Sequence, residues 1–212
     1  MNFSGLRTLV YDLLADEEGV TWTEEELNRW LVEGELTIIQ YRPDSSAVTE
    51  AIPLVAGVKQ AIPSTAFRLL GIVRNESGRA IRLVDQEIKD ELDPDWYSAL
   101  STDVVREYVF DERTPKEFCV SPPSLGGVNV IAKISKKLPD YDFGSDPDTT
   151  IDDIYQSQLV DYAAYRCLSQ SDESTAEFAK ARSFYASFAN SLGIKTKSDA
   201  GASPKSRGQD KL

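Results

Sequence analysis

The sequence predicts an α+β protein: a four-helix bundle formed by N- and C-terminal helical pairs, with an antiparallel β-sandwich or barrel inserted between them. Three observations predict it. Apolar residues recur at three- and four-residue steps near both ends of the chain, the spacing of amphipathic helices. Between the ends the period shortens, and runs of branched and aromatic residues alternate with proline, glycine and asparagine. The terminal helices have apolar faces to bury, and the nearest partner for the first pair is the last pair. The expected boundaries are residues 1–46 for the first part of the bundle, 47–148 for the β-domain, 149–193 for the second part and 194–212 for a disordered basic arm.

The first helix is expected over Phe3–Ala15, with Phe3, Leu6, Leu9 or Val10, and Leu13 or Leu14 on one face. Gly19 lies in the break that follows. The second helix begins at a capping box, in which the Thr23 hydroxyl and the Glu26 carboxylate each satisfy a backbone N–H. Trp22 before the cap and Leu27 after it have the spacing of a hydrophobic staple. Leu27, Trp30, Leu31, Gly34, Ile38 and Tyr41 then mark one face, and Pro43 ends the helix because it lacks an N–H and biases Arg42 out of helical geometry.

Strands are expected near residues 51–55, 58–62, 68–74, 80–84, 104–110, 117–120 and 128–134. Asn75-Glu76-Ser77-Gly78 forms a hairpin loop, with glycine supplying a positive φ, and Asp111–Pro115 forms another turn. Pro53, Pro63, Pro115, Pro122 and Pro123 belong at strand ends, edges or turns, because proline cannot donate to a central ladder. A helical turn over Gln86–Leu92 interrupts the strands and ends at Asp93-Pro94-Asp95.

An acidic connector, Leu138–Thr150, leads to a third helix over Ile151–Leu168 with Ile151, Ile154, Tyr155, Leu159, Tyr162 and Tyr165 on one stripe and Thr149 or Thr150 as cap. The fourth helix covers Ala176–Leu192 with Phe178, Ala181, Tyr185, Phe188 and Leu192 aligned, and Gly193 at the position of a left-handed C-cap. A second stripe of small residues, Ala179, Ala186 and Ala189, suits either core packing or a neighbouring subunit. Beyond Ile194, five basic residues (Lys195, Lys197, Lys205, Arg207, Lys211) face two acidic ones (Asp199, Asp210), a net +3. Glycine, serine and Pro204 fill this end, which reads either as a solubilising tail or as an arm that orders on a partner.

Composition limits the chemistry. In 212 residues there is no histidine, so the commonest general base and metal ligand is missing. The net charge is −12, which leaves −15 on the body once the arm is set aside, and this disfavours generic DNA binding. Cys119 and Cys167 stand alone, outside any CxxC pair, and read as reduced, buried thiols. The N-terminus lacks the continuous apolar run of a secretory signal, no run reaches membrane-spanning length, and synthesis in a cytoplasm is expected. Serine lacks a histidine partner, no GxSxG elbow occurs, and Gly126-Gly127 has neither the lysine nor the spacing of a phosphate loop. The aspartates of Asp140–Asp148 fail the calcium-loop pattern at Ser145 and Ile151. No catalytic, cofactor or metal residues are therefore assigned. Trp22, Trp30 and Trp96 read most simply as core or capping residues, and Trp96, in Asp93-Pro94-Asp95-Trp96-Tyr97, is the one most suited to an interface.

Several phrases occur together in order: Leu54-Val55-Ala56-Gly57-Val58-Lys59-Gln60-Ala61-Ile62-Pro63, Arg68-Leu69-Leu70 through Val73-Arg74-Asn75, Leu92-Asp93-Pro94-Asp95-Trp96, Tyr108 through Pro123, and Leu159-Val160-Asp161-Tyr162 through Tyr165-Arg166. In these phrases and in segment order, residues 5–193 resemble the head-to-tail adaptor proteins of short-tailed bacteriophages, the class that includes tail tubular protein A. Cys119 departs from the pattern, standing where an aromatic residue is expected. The resemblance implies a helical bundle with an inserted β-domain and a non-enzymatic role in the virion. It implies a homo-oligomeric ring of about twelve copies under the portal protein, joined to a tail tube or nozzle protein. DNA would pass through the channel during genome ejection without specific binding. Interface residues are expected among Lys195, Lys197, Lys205, Arg207, Lys211, Trp96, Ala179 and Ala186. The alternatives are a tail-associated cell-wall glycosidase using a carboxylate pair, and a head- or tail-completion protein that does not touch the portal.

Overall fold

Five α-helices and seven strands follow one another in the computed structural model of the chain, which describes residues 1–170 and 175–202, the last nine of these by their backbone. The protein is α+β. It divides into two compact units: Met1–Arg42 joined by the chain from Asp140 onward, and Pro43–Pro139.

In the first unit, α1 (Phe3–Leu14) is capped by Asn2, whose Oδ1 accepts the Gly5 N–H at 3.2 Å. It stops at Ala15, which is left-handed at φ 57°. The turn after it is held by Asp16, whose carboxylate accepts the backbone N–H groups of Val20, Thr21 and Trp22 at 3.0, 3.1 and 3.0 Å. Helix α2 (Glu24–Tyr41) carries the full capping box: Thr23 Oγ1 accepts the Glu26 N–H, and Glu26 Oε2 accepts the Thr23 N–H. The Trp22 ring stands edge-on to Trp30, with centroids 5.6 Å apart. Tyr41, expected on the inner face, is exposed at the last turn.

Helix α4 (Gln156–Ser169) is the element on which α1, α2 and α5 all pack. Gly34 sets the α2–α4 approach. A Cβ there would lie 2.9 Å from Tyr162 Cδ1 and 3.4 Å from Leu159 Cδ2. Helix α4 starts later than the spacing suggests, behind a 3₁₀ turn at Asp153–Tyr155 that Asp152 caps through the Ile154 N–H. Thr149 and Thr150 therefore do not cap α4, and Ile154 is exposed rather than part of the buried stripe.

Helix α5 spans Thr175–Ala202. It does not stop at Gly193, which stays outside the left-handed region. Glycine costs a helix interior only about 1 kcal/mol, too little to end one that is already anchored by buried Phe188 and Leu192. The expected flexible arm from residue 194 is thus helical at Lys195 and Lys197, while Lys205, Arg207 and Lys211 lie outside the described residues.

The second unit holds two sheets. One has the order β1 (Ala47–Pro53), β7 (Asn129–Lys136), β3 (Ala66–Asn75), all antiparallel. The other has the order β2 (Gly57–Ala61), β6 (Glu117–Ser124), β5 (Glu107–Val109), β4 (Arg82–Leu83). The expected all-antiparallel arrangement fails at its edge, where β4 and β5 run parallel because α3 (Gln86–Leu92) and the Trp96–Ser98 turn occupy the crossover between them. Ile52, Leu69, Ile72, Tyr108, Phe118, Val120, Val130 and Ile134 from both sheets enter one apolar cluster. Pro122 and Pro123 lie inside β6 rather than at an edge. They are tolerated because they fall beyond the β5 register, which ends at Ser121, and within the irregular stretch between the Cys119 and Ser124 pairings with β2.

Two buried amides fix turns here. Gln60 accepts the Val55 N–H and donates to the Val55 and Gly57 carbonyls, closing the β1–β2 turn. Asn75 donates to the Arg79 and Val105 carbonyls and accepts the Val105 N–H, joining the hairpin to the segment that enters β5.

Replacing Gly34 with alanine should destabilise the chain by about 1–3 kcal/mol, as overpacking against Tyr162 outweighs the gain in helix propensity. Urea unfolding of Gly34→Ala beside the parent chain measures this.

Candidate functional site

The surface of the first unit offers two apolar concavities. Leu9 and Leu13 of α1 and Ile154 and Val160 line a groove of about 530 Å³ beside Asp153 and Asp161. A second, of about 520 Å³, lies between α4 and α5 and is lined by Tyr165, Phe178, Ala181, Tyr185 and Ala186. The expected aligned face of α5 thus splits. Ala181, Phe188 and Leu192 are buried, whereas Phe178 and Tyr185 are open to solvent. Ala179, Ala186 and Ala189 are also exposed, so among the described residues nothing covers this small-residue stripe.

Trp96 is fully buried. Its Nε1 donates to Asp90 Oδ1 at 2.7 Å and its ring lies against Tyr97, with centroids 3.9 Å apart. The ring locks the α3 region and is not a surface contact, while the neighbouring Tyr97 is exposed. Lys195 and Lys197 lie on the helical backbone of α5, away from Trp96 in sequence and unit.

Sequence patterns did not single out Glu35, the one carboxylate among the described residues that the fold seals from solvent, at 0% exposure. Its Oε1 accepts the Thr150 and Ile151 N–H groups at 2.5 and 3.0 Å, and its Oε2 accepts the Tyr141 hydroxyl at 2.8 Å. Burial pushes its carboxyl above the usual range, against these three donors, which favour the ionised form. Burial likewise raises the Tyr141 phenol. A glutamate on the buried stripe of α2, one residue after Gly34, was the available signal. Both carboxylate oxygens are engaged, so Glu35 ties α2 to the returning connector.

The acidic connector has a similar structural use. Asp146 Oδ1 accepts the Ser4 N–H at 2.8 Å, and its Oδ2 accepts the Ser4 hydroxyl at 2.6 Å and the Asn2 amide at 2.9 Å. The Ser4 donors hold its carboxyl below the usual range. The Met1 ammonium pairs with Asp153 and Asp148 at 2.7 and 3.4 Å. Phe3 packs edge-on to Tyr141 and Phe143. Among the described residues no group of three or more His, Cys, Asp or Glu is placed to hold a metal, and no helix is long and apolar enough to cross a membrane. Burial raises both thiols, that of Cys167 to about 12, which suppresses thiolate chemistry.

A family model described as SU10 adaptor protein matches residues 1–208, nearly the whole chain. No curated protein matches it in sequence.

Glu35→Ala should cost about 1–3 kcal/mol, since it leaves the buried Ile151 N–H without its acceptor, while the Thr150 N–H keeps the Tyr141 oxygen and the phenol keeps Thr150 Oγ1. Glu35→Gln should cost less than about 1 kcal/mol, because its amide accepts both N–H groups and donates to Tyr141, which turns its own proton to Thr150 Oγ1. A carboxyl raised in the folded state binds its proton more tightly there than when unfolded. Its contribution is therefore complete below the ordinary value of about 4.3 and is lost as pH rises through the raised one. Urea unfolding across this range should show Glu35→Gln lacking that decline.

Proposed function

Because this chain belongs to the SU10 adaptor protein family, a family of structural virion components in bacteriophages, we propose that it acts as the head-to-tail adaptor forming a ring under the portal. In this reading about twelve copies stand side by side, join the portal to the tail tube or nozzle, and continue the DNA channel. The family match over residues 1–208 carries the reading, and it includes the basic positions Lys195, Lys197, Lys205 and Arg207. The helices of the first unit act as a four-helix bundle and the second unit as an inserted sandwich. The short-tailed, tail tubular protein A-like subtype is part of the same proposal.

Two physical features support it. A closed ring needs two different faces on every subunit, and separate apolar concavities flank α4. The body is strongly acidic, so a channel wall made from it repels DNA and lets the genome pass without sticking. The basic end of the chain, opposite in sign to the body, serves docking on the portal or on a neighbouring acidic copy. The cell-wall glycosidase reading is not favoured, because the adaptor family is structural and the buried carboxylate is fully engaged.

Mixing the purified chain with portal rings and imaging the product by electron microscopy should reveal a collar of about twelve copies on one portal face. A chain that binds tail components but leaves portal rings bare would be a completion protein instead. Particles carrying a chain without Lys195–Leu212 should fail to join heads to tails or to retain DNA. Normal particles from that deletion would remove the docking role of the basic end.

A further inference from the structure

We propose that the subunit-to-subunit contact is made by the outer stripe of α5 in one copy seated in the α1–α4 groove of the next. This inference rests on the ring reading and names the surfaces that close it. The stripe consists of Phe178, Ala179, Arg182, Tyr185, Ala186 and Ala189, which fall on one side of the helix by their spacing. Phe178 is 60% exposed and Tyr185 44%. Large aromatics standing beside small residues give a helix both anchors and room for a second backbone to approach closely.

The groove offers a matching apolar floor. Leu13 is 45% exposed and Ile154 58%, and Leu9 and Val160 complete the lining. It belongs to the α1 side of α4, whereas the stripe belongs to α5. Neither surface matches itself, so two copies meet head to tail through unlike faces, as a ring requires and a two-fold dimer does not.

Charge selects the partner. Arg182 is the one ionised side chain in the stripe, and among the described residues no carboxylate pairs with it. At the groove, the Met1 ammonium already holds Asp153. Asp161 accepts a hydrogen bond from Ser187 at 2.6 Å, and among the described residues no cation pairs with it. A helix laid in the groove with Arg182 at Asp161 joins two charges that no opposite charge holds among the described residues, while the aromatics cover the leucines. A second copy of this chain fits this surface without invoking any other partner.

The test uses phage particles assembled with a Leu13→Cys, Ala186→Cys chain, both positions being on the surface and outside the core. Oxidation followed by non-reducing electrophoresis should give a ladder of covalent oligomers, absent for either single variant. Particles that carry multiple copies but yield no ladder overturn this contact and leave the ring standing. Particles with a single copy overturn the ring reading itself. In parallel, Asp161→Arg and Arg182→Asp should each lower incorporation into particles about tenfold, and the exchanged pair should restore it. Unchanged incorporation of both single variants, with circular dichroism like the parent, would also overturn the pairing.

Discussion

Glu35 is the constraint from which the first unit follows. The chain leaves this unit at Arg42 and returns at Asp140, so nothing local holds the returning connector against α2. A carboxylate buried at 0% exposure has to find donors or lose several kcal/mol, and the donors available are the Tyr141 hydroxyl and the Thr150 and Ile151 N–H groups. Meeting that demand fixes where the chain re-enters, turns Thr150 away from capping, and delays α4 to Gln156. It also brings Tyr141 and Phe143 over Phe3, so that α1 is closed by the same segment.

Once α4 is placed, the remaining helices have little freedom. Gly34 lets α2 approach Tyr162 closely, and Tyr162 in turn meets Phe188 of α5 with centroids 5.2 Å apart. Helix α4 is packed by three neighbours, and α1 and α2 also pack on each other. Apolar surface is left open on α1 and α5, at Leu9, Leu13, Phe178 and Tyr185.

The β-unit shows how polar side chains position surface turns. Gln60 and Asn75 are buried amides whose hydrogen bonds go to backbone groups. Each ties a neighbouring loop to its strand, and each lies in a phrase that carries the resemblance to phage adaptors. Proline behaves in the same economy. It enters β6 only where neither neighbouring strand requires an N–H.

Much of the fold was legible in the chain. The capping box at Thr23 and Glu26, the stop before Pro43, the α3 turn over Gln86–Leu92 and the Asn75–Gly78 hairpin are local, fixed by residues within a few positions of one another. The absence of histidine and the acidic charge likewise directed the reading away from catalysis. Tertiary structure decided the rest, because its causes are distant in sequence. The parallel pairing of β4 depends on a crossover, the continuation of α5 past Gly193 on anchoring by Phe188 and Leu192, and the burial of Trp96 on Asp90. Periodicity put Phe178, Tyr185 and Ile154 on apolar stripes but could not tell an inward stripe from one left open. Only packing against α4 separates the residues that are buried from those that stay exposed.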